Sequence, residues 1–125
     1  EAKSQGSKEV MVWGSGAPKR EFLYSEDLAD ACVFLVEKYN ASDIGEFVNI
    51  GTGKEITIRE LAELVAEVVG FRGELVFDTS KPDGTPRKLL EVSRLQALGW
   101  QARTGFRAGI TMAYADFLKN ALKVA

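Results

Sequence analysis

The sequence predicts a mixed α/β (α+β) fold, in which a small sheet of short strands packs against three main helices. The first observation behind this prediction is an alternation of short apolar runs with longer segments whose apolar residues recur at helical spacing. The second is size, because 125 residues, 46% hydrophobic and 27% charged, suffice for one hydrophobic core. We therefore expect residues 1–125 to form a single soluble domain.

Composition argues against several classes of protein. The apolar runs are far shorter than the roughly 20 residues that cross a bilayer, and no segment resembles a signal peptide, so we expect a cytoplasmic protein without a membrane partner. Charges of both signs are interspersed around a net charge of -2, which leaves no basic face for nucleic acid. The single cysteine, Cys32, excludes an internal disulfide, and the absence of histidine removes the usual metal ligand and the usual proton shuttle.

The first elements surround a tight, glycine-rich loop. Residues 10–13 are predicted as a strand, residues 14–18 as a turn and residues 21–24 as a second extended run. Trp13 and Arg20 flank this loop. Trp13 either packs in the core or stacks against a flat ring of a ligand. Arg20 either pairs with a neighbouring carboxylate or faces a ligand phosphate.

The next segment predicts a helix that begins at Ser25, because a serine followed by two acidic residues satisfies the free amides of a first turn. Cys32 lies on its apolar stripe, where we expect a buried thiol that acts as a small hydrophobe. Residues 40–46 are predicted as a loop and residues 47–50 as a strand. The stripe consists of Leu28, Cys32, Leu35, Val36 and Tyr39.

A second helix is predicted after a glycine turn. Residues 51–54 (GTGK) lack the spacing of a phosphate-binding loop and are interpreted as a plain turn between a strand and a helix. Thr57 and Glu60 have the spacing of a capping box, and Gly70 ends the helix. Its apolar stripe consists of Ile58, Leu61, Leu64, Val65, Val68 and Val69.

The last third of the chain predicts a strand and two helices. The strand covers residues 74–78, and a short helix over residues 93–98 stops at Gly99, with Trp100 packed beneath it. The final helix is predicted over residues 106–122. Its inner stripe consists of Ile110, Tyr114, Phe117 and Leu118.

Residues 81–88 (KPDGTPRK) carry the main functional signal. Two prolines and a glycine prevent a helix or a central strand, so these residues form an ordered turn that holds Lys81, Arg87 and Lys88. A guanidinium beside an ammonium suits a phosphate or diphosphate. Asp83 adds an acceptor that either reads sugar hydroxyls or guanine donors, or caps the turn. The alternative for all of these charges is that they are simply solvated.

Several motifs are spread over nearly the whole chain. They are Trp13-Gly14-Ser15-Gly16 with Pro18, Arg20-Glu21-Phe22-Leu23, Asp27, Asn49-Ile50-Gly51-Thr52-Gly53, Ile58-Arg59-Glu60-Leu61, and SKPDGTPRK from Ser80 to Lys88. Together these motifs resemble the GDP-L-fucose synthase family of extended short-chain dehydrogenases. The most specific part is the combination of residues 13–22 (WGSGAPKREF) with residues 80–88.

The resemblance implies the carboxyl-terminal, substrate-binding portion of a two-part enzyme, with its NADP(H)-binding half absent. Members of the family epimerise GDP-4-keto-6-deoxymannose at two carbons and reduce it with NADPH. Trp13 and Arg20 are then substrate contacts and Lys88 a second diphosphate contact, with Asp83 and Arg87 as weaker candidates. The family's glycine-rich phosphate loop and its catalytic serine, Tyr-x-x-x-Lys pair, cysteine and histidine have no match here, and Cys32 does not fit the catalytic cysteine motif. We therefore expect no catalytic residue, no metal ligand and no cofactor-binding residue in this chain.

Alternatives from other classes remain open. The chain could be a stand-alone GDP-sugar-binding module without chemistry, or the equivalent domain of another nucleotide-sugar epimerase or dehydratase. It could also be a self-associating protein, because apolar surface left uncovered by a second domain favours a homodimer.

Overall fold

A computed structural model describes residues 1–121, and it confirms the mixed α/β class. The strands are β1 (Glu9–Trp13), β2 (Lys19–Glu21), β3 (Glu55–Thr57), β4 (Glu74–Asp78) and β5 (Arg87–Lys88). The helices are α1 (Ser25–Lys38), α2 (Ala41–Ile44), α3 (Ile58–Val69), α4 (Ser93–Ala97) and α5 (Phe106–Ala121). Over this described range, no helix combines the length and the apolarity that a bilayer crossing requires.

The strands form two small sheets rather than one. Strands β1 and β4 pair in parallel, and β2 lies between antiparallel β3 and parallel β5. In the second sheet Arg20 is the register partner of Lys88. The end of the predicted cationic turn is therefore a strand, and it lies directly beside the segment that carries Arg20.

The core is small and lies between α1 and α4. Its buried residues are Ala31, Leu35, Leu95 and Trp100. The indole Nε1 of Trp100 donates a hydrogen bond to Oδ2 of Asp30 at 2.7 Å, which satisfies the one polar atom of the buried ring. Gly99 follows α4 with a φ of +96°, so the predicted end of this helix and the packing of Trp100 are confirmed.

The predicted start of α1 at Ser25 is confirmed, but two other predictions about this helix are wrong. No side chain caps its start, where Tyr24 and not Ser25 is the N-cap residue. Cys32 is exposed, as is Val36 at 83%, whereas Ala31 and Leu35 are buried. Because apolar residues occupy more than one face of α1, helical spacing alone does not identify the face that meets α4 and Trp100.

The prediction for α3 is confirmed in detail. Glu60 N donates to Oγ1 of Thr57 at 3.1 Å and Thr57 N donates to Oε2 of Glu60 at 2.7 Å, which is a complete capping box. Gly70 ends the helix with a φ of +74°. An ion pair between Glu67 and Arg107 joins α3 to α5. No residue of α3 is buried, however, so its apolar stripe is only partly covered.

Several short elements differ from the prediction. Residues 47–50 form no strand and Phe47 is 69% exposed, while β2 begins at Lys19 instead of residue 21. Residues 40–46 contain the single turn of α2, and β3 follows the glycine turn directly. Strands this short depend on partners distant in sequence, which a local pattern does not reveal.

The inner stripe predicted for α5 is half right. Ile110 and Tyr114 are partly buried, but Phe117 and Leu118 are exposed. The prediction extended the helix to Leu122, which lies outside the described residues.

Candidate functional site

The three-stranded sheet has two chemically different faces. Successive residues of β2 point to opposite sides, so Lys19 and Glu21 share one face and Arg20 the other. The register places Ile56 and Lys88 on the face of Arg20. Two cations from different strands therefore lie side by side.

A cavity of about 180 Å³ lies on the Arg20 face, between this sheet and the start of α5. The charged residues that line it are all cationic, although the chain as a whole has a net charge of -2. A cleft lined by charges of one sign attracts ions of the other sign. The lining residues are Arg20, Phe22, Thr52, Lys54, Ile56, Ala102, Arg103, Thr104, Gly105 and Phe106.

The far wall of this cavity is fixed by Asp27. Its Oδ2 accepts hydrogen bonds from the backbone amides of Arg103 at 3.1 Å and Thr104 at 2.8 Å, and its Oδ1 accepts one from the Thr104 hydroxyl at 2.9 Å. A carboxylate from α1 thus holds the segment that leads into α5. These hydrogen bonds give a physical reason for an aspartate at position 27, one of the positions on which the resemblance to the family rests.

Arg20 reaches toward the 81–88 turn. Its Nη1 donates to the carbonyl of Lys19 at 2.6 Å, and its Nη2 lies 3.3 Å from the position that a Cβ on Gly84 would occupy. Glycine at position 84 therefore leaves space for the guanidinium. The two cationic segments that the sequence singled out do meet in the structure.

Asp83 links that turn to the loop after β1. Its two oxygens accept hydrogen bonds from Ser15, one from the amide at 2.8 Å and one from the hydroxyl at 2.6 Å. These bonds lower the pKa of the Asp83 carboxyl. Gly14, with a φ of +89°, lies so close that a Cβ there would overlap the Asp83 carboxylate. Asp83 therefore fastens two loops together.

The other predicted site residues have different surroundings. Trp13 is 73% exposed, which excludes core packing, and the Lys81 ammonium lies 5.6 Å from its ring centroid. Arg87 lies on the opposite face from Arg20, where its Nε donates to Oε2 of Glu55 at 2.7 Å. This hydrogen bond lowers the pKa of Glu55. Of the five predicted site residues only Arg20 lines the cavity, and Trp13, Asp83, Arg87 and Lys88 do not.

Sequence reasoning missed Lys54 and Arg103 as members of the cationic cluster. Lys54 ends the GTGK turn, whose glycine spacing fits no known phosphate loop, and Arg103 stands in an unpatterned segment before α5. No local motif marks either of them. Only the pairing of β2 with β3 and the docking of α5 place them beside Arg20.

Comparison with known proteins shows which proteins this chain resembles. A model of the NAD dependent epimerase/dehydratase family matches residues 2–51. The chain is 58% identical over 120 residues to GDP-L-fucose synthase 1 of Arabidopsis thaliana and 48% identical over 126 residues to the GDP-L-fucose synthase of Escherichia coli K12. The chain is a relative of the GDP-L-fucose synthases. Both alignments include 96% of this chain but only 36% and 39% of the length of the two relatives.

Solved structures agree with this relationship. A GDP-L-fucose synthetase from Naegleria fowleri superposes with a TM-score of 0.87 and 31% identity, over 96% of this chain and 36% of that one. A second structure of the Naegleria protein contains NADP and superposes with a TM-score of 0.81. The resemblance read from the motifs is thus confirmed for a stretch that spans about a third of the length of these proteins.

Proposed function

We propose that this chain is the GDP-sugar-binding portion of a GDP-L-fucose synthase-like enzyme, and that the cavity beside Arg20 receives the diphosphate. The observation that supports this most is the charge of the cavity, whose lining holds Arg20, Lys54 and Arg103 and no carboxylate. A diphosphate neutralises several cations at once, and the fork of a guanidinium suits its oxygens.

The proposed roles follow from where each side chain lies. Arg20 contacts the diphosphate from the cavity wall, and Lys88, its neighbour on the same face but outside the lining, reaches the diphosphate from the rim. Trp13, exposed beside the 81–88 turn, offers its ring to a flat base once Lys81 moves off it. Asp83 serves mainly to order the loops, since Ser15 already occupies its oxygens. Arg87 contributes only if it leaves Glu55.

The residues present do not fit a nicotinamide cofactor, although a relative binds NADP. The glycine turn at residues 51–54 is the one candidate for a phosphate loop, but the amides of Thr52 and Gly53 already donate to Glu21 at 2.5 and 2.7 Å. No group of three or more acidic or cysteine side chains suited to a metal occurs within residues 1–121. Because the glycine turn is not free for a phosphate, we propose that NADP(H) binding, and the epimerisation and reduction of the parent reaction, depend on residues other than these.

A titration with GDP tests the proposed function. We expect a dissociation constant on the order of a millimolar, because an open cavity of this size covers only part of such a ligand. Backbone amide signals of Arg20, Lys54, Lys88 and Arg103 should shift with GDP but not with guanosine, which lacks phosphates. Arg20→Ala should weaken binding, while Arg72→Ala, an exposed arginine remote from this cavity, should not. Unmoved signals at high GDP concentration would contradict the proposal.

A further inference from the structure

The Glu21 carboxylate connects three separate segments of the chain. Its Oε1 accepts hydrogen bonds from Thr52 N at 2.5 Å, Gly53 N at 2.7 Å and the Thr52 hydroxyl at 3.1 Å, and its Oε2 accepts one from Leu90 N at 2.9 Å. Gly51 permits this approach, since a Cβ there would lie 2.5 Å from Oε1. Glu21 thus ties β2 to the glycine turn and to the segment after β5.

Each of these segments carries a cation of the proposed diphosphate site. Arg20 precedes Glu21 in β2, Lys54 ends the glycine turn, and Lys88 lies two residues before Leu90. Arg20 and Lys88 point to the face opposite Glu21, because side chains alternate along a strand. Like charges held together repel one another, and without a fixed framework the backbone would relax to separate them.

We propose that Glu21 is a positioning residue for the diphosphate site, which holds Arg20, Lys54 and Lys88 in place through the backbone without touching the ligand. This inference rests on the proposed function for the identity of the ligand. It differs from a general contribution to folding, because the segments that Glu21 joins are those that carry the cations. Glu21 also places a negative charge behind the cluster, which offsets the repulsion among the cations.

The protonation state of Glu21 suits this role. Burial raises the pKa of its carboxyl, but the hydrogen bonds from Leu90, Gly53 and Thr52 together outweigh burial and leave the pKa below its ordinary value. Glu21 is therefore ionised at neutral pH and accepts at both oxygens. A glutamine has an NH2 group in place of one of these oxygens, and this group would face a backbone N–H donor. Glutamine can therefore accept either from the glycine turn or from Leu90, but not from both.

Glu21→Gln and its matched control, Glu60→Gln, test the proposal. Glu60 also accepts a backbone hydrogen bond, but in the capping box of α3, away from the cations. We expect Glu21→Gln to remove hydrogen-exchange protection from the amides of Gly53 and Leu90 and to weaken GDP affinity by about tenfold. Glu60→Gln removes a charge in the same way but can still accept the Thr57 amide through its side-chain oxygen, so GDP affinity should stay unchanged.

Two outcomes would overturn the inference. The first is that Glu21→Gln binds GDP as tightly as the unchanged chain does. The second is that Glu60→Gln loses as much GDP affinity as Glu21→Gln. If Glu21→Gln does not fold, Glu21→Asp, which keeps the charge but shortens the reach, should show the same loss of protection at Leu90 with a smaller loss of affinity. If the unchanged chain binds no GDP, the proposed function fails. Inorganic pyrophosphate then serves as the ligand that tests the positioning role. Equal affinities of Glu21→Gln and the unchanged chain for pyrophosphate would overturn that role.

Discussion

At the scale of single residues, the candidate site is distinguished by charged side chains that are not in ion pairs with other side chains of the described residues. The ion pairs recorded for residues 1–121 join Lys19 and Arg87 to Glu55, and Arg107 to Glu67, and none of them lies in the cavity beside Arg20. Sequence alone predicted the cationic turn but could not divide its charges between ligand and protein. The register turns Arg87 toward Glu55 and leaves Lys88 on the face of Arg20, which supports the proposal that Lys88, and not Arg87, is available to a ligand.

Gly14→Ala should destabilise the chain more than Gly6→Ala. Both glycines have positive φ, +89° and +65°, so each substitution costs about 1–2 kcal/mol of backbone strain. A Cβ at Gly6 meets open space, whereas a Cβ at Gly14 overlaps Asp83 and displaces it from Ser15. Urea unfolding of both variants measures the difference. Equal losses would show that the Asp83–Ser15 contact does not constrain the loops.

The effect of Glu21→Gln on stability should depend on pH. The folded pKa of Glu21 lies below the ordinary 4.5, so its stabilising contribution is fully present above that value and disappears as the pH falls through the folded pKa. The difference in unfolding free energy between Glu21→Gln and the unchanged chain should therefore shrink below about pH 4.5. Thermal unfolding at neutral pH and in acid measures it, and a constant difference would contradict this account.

At the scale of elements, the longer helices and the two five-residue strands β1 and β4 were predictable, whereas the strands of two or three residues and the single turn of α2 were not. The limits of α3 follow from Thr57, Glu60 and Gly70, which act within the helix itself. Residues 47–50 have the composition of a strand but find no partner among the described residues, while β3 and β5 form where turn residues suggested loops. Pairing with β2, distant in sequence, decides these outcomes. For the same reason the charges of the 81–88 turn were predictable, but Lys54 and Arg103 were not.

Thr57→Ala should cost about 1 kcal/mol of stability, since it removes an N-cap hydrogen bond and opens the capping box. Ser25→Ala is the matched control. Ser25 looks like a cap in the sequence, but it caps nothing in the structure, so its removal should change stability by less than about 0.5 kcal/mol. Chemical denaturation of both variants tests this, and similar losses would mean that the start of α1 is capped by Ser25 in solution.

At the scale of the whole molecule, the apolar face of α3 is incompletely covered. A groove of about 380 Å³ runs between α3, β1 and residues 1–3, with a lining that is almost entirely apolar. Residues 1–7 form a turn in which Ser7 N donates to Ala2 O at 2.9 Å and Gly6 has a φ of +65°, and the first three of these residues line the groove. The buried core lies elsewhere, between α1 and α4.

This groove should bind an apolar fluorescent dye. Val65 lines it and is partly exposed, so Val65→Asp should reduce dye fluorescence by introducing a charge into the groove. Val36→Asp, on the exposed face of α1 outside the groove, serves as the matched control and should change the signal less. A larger loss in Val36→Asp would place the main uncovered apolar surface on α1 instead.

These 125 residues alone should not turn over NADPH with GDP-4-keto-6-deoxymannose. The amides of Thr52 and Gly53 in the glycine turn already donate to Glu21, so this turn is not free to hold a dinucleotide phosphate. Proton transfer beside a ketone needs an acid and a base poised near neutral pH. The chain has no histidine, and the shifted carboxyl groups of the described residues, such as Glu21, Glu55 and Asp83, have lowered pKa values that keep them ionised. Absorbance of the nicotinamide should stay constant, and a loss above that of a mixture without the chain would assign the chemistry to these residues.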